Sequence, residues 1–109
     1  MPLLEARIAA TRELLQSAPD QACSIELYLT LNTDPARIER FLIRARGMKS
    51  LSNVYVIPQT AQPRTRVRVT YGFFGSRKEA QDAIPQVPAK YRDDFQLVIR
   101  DFKELRGAL

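Results

Sequence analysis

Hydrophobic positions along this chain recur at two spacings, and the changes from one spacing to the other mark its elements. Residues 24–31 alternate, Ile25, Leu27 and Leu29 against Glu26, Tyr28 and Thr30, which is the period of a strand with one buried and one open face. The same period returns at residues 53–58, with Val54 and Val56 against Tyr55 and Ile57. It returns again at 66–71, with Val67, Val69 and Tyr71 against Arg66, Arg68 and Thr70, and at 95–100, with Phe95, Leu97 and Ile99 against Gln96, Val98 and Arg100. Between these runs the spacing becomes helical. Leu4, Ile8, Thr11 and Leu15 make one stripe over residues 3–17; Ile38, Phe41, Leu42 and Ala45 make a second; Ala80, Ala83, Ile84 and Val87 make a third.

Punctuation between the runs supports these elements. Pro2 stands where a helix tolerates proline, and Ala18-Pro19-Asp20 ends that helix. Asn32-Thr33-Asp34-Pro35 supplies cap candidates and a proline for the first helical position, and Arg46-Gly47 closes the second helix. Residues 60–63 read as a polar hairpin loop. Gly72 and Gly75 punctuate the end of the third strand, and Ser76 precedes Glu79 by three residues, the spacing at which each side chain reaches the other's backbone N–H. Pro85 and Pro88 end the third helix, and Asp101 with Glu104 repeats the cap pattern before a short C-terminal helix.

The element order is therefore βαββαβ with an extra helix in front and a short one behind. It predicts an α+β, ferredoxin-like or RNP-like fold: a four-stranded antiparallel sheet with two helices on one face and the other face bare. The expected core holds Ile25, Leu27, Leu29, Phe41, Leu42, Val54, Val56, Val67, Val69, Ala80 and Ile84. Residues 1–20 are read as an amphipathic appendage packed on the domain or as the end of a linker, and residues 21–109 as the domain.

With 109 residues, 45% of them hydrophobic, the chain is one globular domain. Seventeen Lys and Arg against twelve Asp and Glu give a net charge of +5, which points to an anionic partner. Histidine is absent and Cys23 is the single cysteine, so the usual general base, a Cys–His nucleophile pair and a multi-cysteine zinc site are all missing. Cys23 reads as a small residue at a strand start, Asp93-Asp94 as a solvated turn, and no glycine-rich phosphate loop occurs. No enzyme, metal or cofactor is expected. No run approaches the roughly 18 apolar residues of a membrane span.

On the bare face the alternation places Glu26, Tyr28, Tyr55, Ile57, Arg66, Arg68 and Thr70, with Val98 and Arg100 beside them. Arg64, Arg66 and Arg68 would repel one another there, which stability alone does not ask for. The plain alternative is a solvated face on which Glu26 pairs with Arg66 or Arg68. The candidate ligand-binding residues are Glu26, Tyr28, Tyr55, Arg66, Arg68 and Thr70.

Over residues 23–105 the chain resembles the SPOR domain. The resemblance rests on Ser24-Ile25-Glu26-Leu27, on Arg68-Val69-Thr70-Tyr71-Gly72-Phe73-Phe74 followed by Ser76-Arg77-Lys78-Glu79-Ala80, and on Val98-Ile99-Arg100-Asp101-Phe102. It implies a non-catalytic module of the bacterial cell envelope and of cell division, binding peptidoglycan glycan strands that lack stem peptides. It also implies a place in the periplasm, as the C-terminal part of a larger protein anchored in the inner membrane. Arg68 matches the family's arginine, Glu26 stands where the family has glutamine, and Arg66 stands where many members have an aromatic. Tyr71-Gly72-Phe73-Phe74 also resembles the centre of an RNA-recognition motif, so single-stranded RNA binding is one alternative and a protein-interaction module another; nucleic acid is not the expected partner. On this reading Arg68→Ala would leave the fold intact and Glu26→Gln would strengthen glycan binding.

Overall fold

The structure, a computed structural model, describes residues 1–31, 33–59 and 65–107. Asn32, the loop at 60–63 and Arg64 lie outside them. In chain order the elements are α1 (Pro2–Ser17), β1 (Cys23–Thr30), α2 (Pro35–Gly47), β2 (Val54–Gln59), β3 (Arg66–Phe74), α3 (Arg77–Ala83), α4 (Ala89–Asp94), β4 (Val98–Asp101) and α5 (Phe102–Gly107). The strands form one antiparallel sheet in the order β2-β3-β1-β4, as the βαββαβ pattern predicts.

Helix starts follow their sequence signals. Pro35 opens α2, with Asp34 accepting from the Ala36 N–H at 3.0 Å. Ser76 accepts from the Glu79 N–H at 3.1 Å to start α3, but the Glu79 carboxylate accepts from the Gly75 N–H at 2.8 Å, one residue before the position expected. Asp101 accepts from the Glu104 N–H at 2.8 Å to start α5. The short α4 is absent from the sequence reading. Its residues include Asp93 and Asp94, and it seats Tyr91 in the core with its hydroxyl 2.9 Å from Ser50 Oγ.

Two apolar clusters hold the molecule together, one on each side of the sheet. The larger takes Ile25 and Leu27 from β1, Ile38, Phe41, Leu42 and Ala45 from α2, Val54 and Val56 from β2, and Val67 and Val69 from β3, with Ala80, Val87 and Tyr91 closing it. This is the expected core with one correction: Leu29 is 39% exposed. The strand register explains it. Glu26 pairs with Thr70 but Tyr28 pairs with Val69, so β1 carries one extra residue at Leu27 and every side chain beyond it changes face. Tyr28 therefore turns into the helix side, its ring centroid 5.3 Å from those of both Phe41 and Phe95.

The second irregularity sits in β3. Gly72 has φ +82°, and a Cβ there would lie 2.6 Å from the Phe74 ring. Only glycine adopts this conformation without strain, and it shifts the alternation by one residue. Phe74 packs against the larger core while Phe73 faces the other side, 5.5 Å from the Phe102 ring. The third strand thus runs on to Phe74 through the glycine that was expected to end it.

The smaller cluster, Leu15, Ala18, Ala22, Ile57, Phe102 and Leu105, lies on the face expected to be bare. Helix α1 reaches it by crossing the β2 edge. Its first turn is fixed on the helix side, where the buried Glu39 of α2 accepts from the N–H groups of Leu3 and Leu4 at 3.1 and 2.8 Å, satisfying orphan donors of a helix start. Midway, Arg7 donates to Val54 O at 2.8 Å and the Val56 N–H donates to Thr11 Oγ1 at 3.0 Å. Side chains of α1 thereby occupy the backbone groups of an edge strand that would otherwise stay open.

Candidate functional site

Five of the six candidate residues share one face of the sheet, and three strands place them there. Tyr55, Thr70 and Glu26 lie in one row across β2, β3 and β1, and Ile57 and Arg68 lie in the next. Glu26 is the hub: its Oε1 lies 2.6 Å from Arg68 Nε and 3.3 Å from Arg100 Nε. The Arg68 contact is ionic, since its N–H direction misses the oxygen and Arg68 Nε has no hydrogen-bond partner. Burial works against the charge on Arg100, yet its bond and Coulomb attraction to Glu26, helped by Glu104, hold its pKa above the usual guanidinium value.

This face is covered, not bare. The side chains of Glu26 and Arg68 are only 9% and 11% exposed, and Thr70 is fully buried. Tyr55 is half-buried beneath the Arg7 guanidinium, 5.4 Å from the ring centroid, and Arg66 is exposed at the strand end. The cover is the last part of α1 together with α5. Arg106 of α5 clasps the two: it donates to Leu15 O at 3.1 Å and Ala18 O at 2.7 Å and pairs with the Asp20 carboxylate. Arg68 is thus not the solvent-facing arginine that the alternation implied, because the ends of the chain fold over it.

Beneath this cover, and among the described residues, Gln59 Nε2, Arg68 Nε and Thr70 Oγ1 are buried without a hydrogen-bond partner. All three belong to the same face as Ile57, by the alternation of β2 and β3. An unsatisfied buried polar group costs about 1–3 kcal/mol, so these polar atoms sit under an apolar cap at a cost to stability.

Tyr28 is the residue that the structure removes from the set. It lines a groove on the opposite side of the sheet, with Arg37, Phe41, Arg44 and Phe95. Burial pushes its phenol up to about 12 while Arg44 and Arg37 pull it down. Sequence reasoning passed over these two arginines, although Arg37, Phe41 and Arg44 stand at i, i+4 and i+7 and so share one helix face. It also passed over Arg106, for which no local signal exists. Tyr71, the tyrosine of the RNA-like segment, packs on the helix side, 6.1 Å from the Tyr91 ring, so the paired aromatics that would stack bases do not share an open face. Cys23 is buried and its thiol is pushed up by burial against the pull of Arg77, the behaviour of a packed residue and not of a nucleophile.

A family model described as the SPOR domain matches residues 33–97, more than half of the chain. The matched stretch carries Tyr55, Arg66, Arg68 and Thr70 and leaves out α1, β1, β4 and α5. No curated protein matches the chain.

Proposed function

This chain belongs to the SPOR domain family of peptidoglycan-binding modules, and from that premise we propose that it binds glycan strands stripped of their stem peptides, on the sheet face that carries Glu26, Tyr55, Arg66, Arg68 and Thr70. The module acts by binding, without catalysis, in the bacterial periplasm as part of a larger membrane-anchored protein. The observation that carries the reading is a buried polar patch on that face, where Gln59 Nε2 and Thr70 Oγ1 have no hydrogen-bond partner beside the Arg68 guanidinium, which is held only by its ion pair to Glu26. A denuded glycan offers what they lack. Each muramic acid presents a lactyl carboxylate, which a guanidinium grips through paired N–H donors, and ring hydroxyls and N-acetyl oxygens meet the amide and the hydroxyl. The Tyr55 ring supplies a surface for a sugar face.

Binding then requires the cover to move. The α1–α5 clasp buries five apolar residues around Ile57, a small cluster beside the main core, and its opening leaves the larger cluster untouched. Carboxylates of the glycan compete with Glu26 for Arg68 and Arg100, so binding weakens as salt is added. Co-sedimentation with sacculi, with and without amidase treatment, tests the reading. Retention is expected on amidase-treated sacculi, and Arg66→Ala together with Tyr55→Ala should reduce it with little change in the melt. Equal retention of that double variant would remove this face as the binding surface.

A further inference from the structure

We propose that the groove between α2, the end of β1 and the segment before β4 is a second binding site, which takes an extended acidic peptide segment of a partner protein. It lies across the sheet from the glycan face and is independent of the cover. The groove encloses about 380 Å³, and its floor is made of three rings in mutual contact, Tyr28, Phe41 and Phe95. A narrower extension runs on between Met48 and Tyr91. Such a floor receives an apolar side chain.

The rim supplies the charge preference. Arg37 and Arg44 stand seven residues apart on α2, about 10 Å along the axis at the helical rise, with Phe41 between them. Neither guanidinium makes an ion pair or hydrogen bond among the described residues, whereas Lys90 and Asp94 in the extension neutralise each other at 2.9 Å. Two unpaired guanidiniums over an aromatic floor select carboxylates that flank an apolar residue. A sugar fits this site poorly, because the floor would leave most of its hydroxyls without partners.

The strand edge supplies the shape. β4 pairs only with Cys23–Glu26 of β1, so Leu27–Leu29 have β3 as their one neighbouring strand among the described residues. An extended segment laid along this edge adds a strand, and its alternate side chains point onto the aromatic floor and toward the arginines. Tyr28 offers an O–H donor beside them.

The test is selection of a displayed library of random ten-residue peptides on the whole chain, followed by titration of a synthetic copy of the most enriched sequence. Enriched peptides should carry Asp or Glu on both sides of an aliphatic or aromatic residue. The synthetic copy should lose about tenfold or more in affinity for Arg37→Ala/Arg44→Ala and shift the amides of Leu27–Leu29 and α2. Failure to enrich, enrichment of sequences without acids, binding to the double variant within about twofold of the parent, or shifts centred on α1 and α5 would each overturn the proposal. The same double variant should sediment with amidase-treated sacculi like the parent chain. If it loses sacculi as well as peptide while its melt is unchanged, the groove is a glycan surface and the peptide site is refuted.

Discussion

Glu26 holds two guanidiniums at once, and the cost of changing it follows from what is left behind. Glu26→Gln strands Arg68, nearly enclosed, without a countercharge, and removing one partner of a buried pair costs about 3–5 kcal/mol. Because Arg100 is a third exposed, we expect a smaller loss, roughly 2–3 kcal/mol in urea unfolding, in place of the neutral change that an open face implied. Gly72→Ala meets both a positive φ and the Phe74 ring; about 2 kcal/mol of destabilisation is expected, and full stability in that variant would mean that β3 is not bulged there. Tyr28 carries a pH dependence. Its folded pKa, pushed up to about 12 by burial, exceeds the unfolded value near 10, so the folded state holds the proton more tightly. The stabilisation is complete below about pH 10 and is lost as pH rises toward 12. Burial shifts Tyr91 the same way, even against its bond with Ser50. Urea midpoints across that window should fall, and Tyr28→Phe should flatten part of the fall.

Among the elements, α1 does the most that its own sequence does not announce. Thr11→Val keeps the shape but leaves the buried Val56 N–H without an acceptor, and a loss of about 1–2 kcal/mol is expected in thermal or urea unfolding. A loss within experimental scatter would show that the edge of β2 is held by packing alone. The stripe Leu4, Ile8, Thr11 and Leu15 was legible as helix, as were β2, β3 as far as Tyr71 and the inward side of β4, because the alternation there matches the face each side chain takes. The path of α1 was not. It is decided by Glu39, Val54 and Arg106, partners 35 or more residues away, which periodicity does not see. β1 misled for a local reason: a single extra residue at Leu27 reverses the faces of Tyr28 and Leu29, and nothing in the alternation marks it. Of the candidate site, Glu26, Tyr55, Arg66, Arg68 and Thr70 were readable as one face. Their burial was not, since the cover comes from the two ends of the chain.

For the whole molecule, the clasp sets how often the glycan face is available. Arg106→Ala removes two carbonyl bonds and the Asp20 pair. We expect a lower melting temperature and, because apparent affinity scales with the open fraction, roughly fivefold higher retention on amidase-treated sacculi. A lower melt with unchanged retention would separate the clasp from binding. The outer strands carry a further consequence. Arg7 sits on Val54 O of β2, and Arg77 donates to Ile99 O of β4 at 3.3 Å, so one carbonyl on each border of the sheet is capped by a guanidinium. Among the described residues, Leu27–Leu29 has a single neighbouring strand and carries no such cap. Two copies can join along that stretch about a two-fold axis, each filling the open edge of the other. Crowding should therefore yield dimers ahead of longer assemblies.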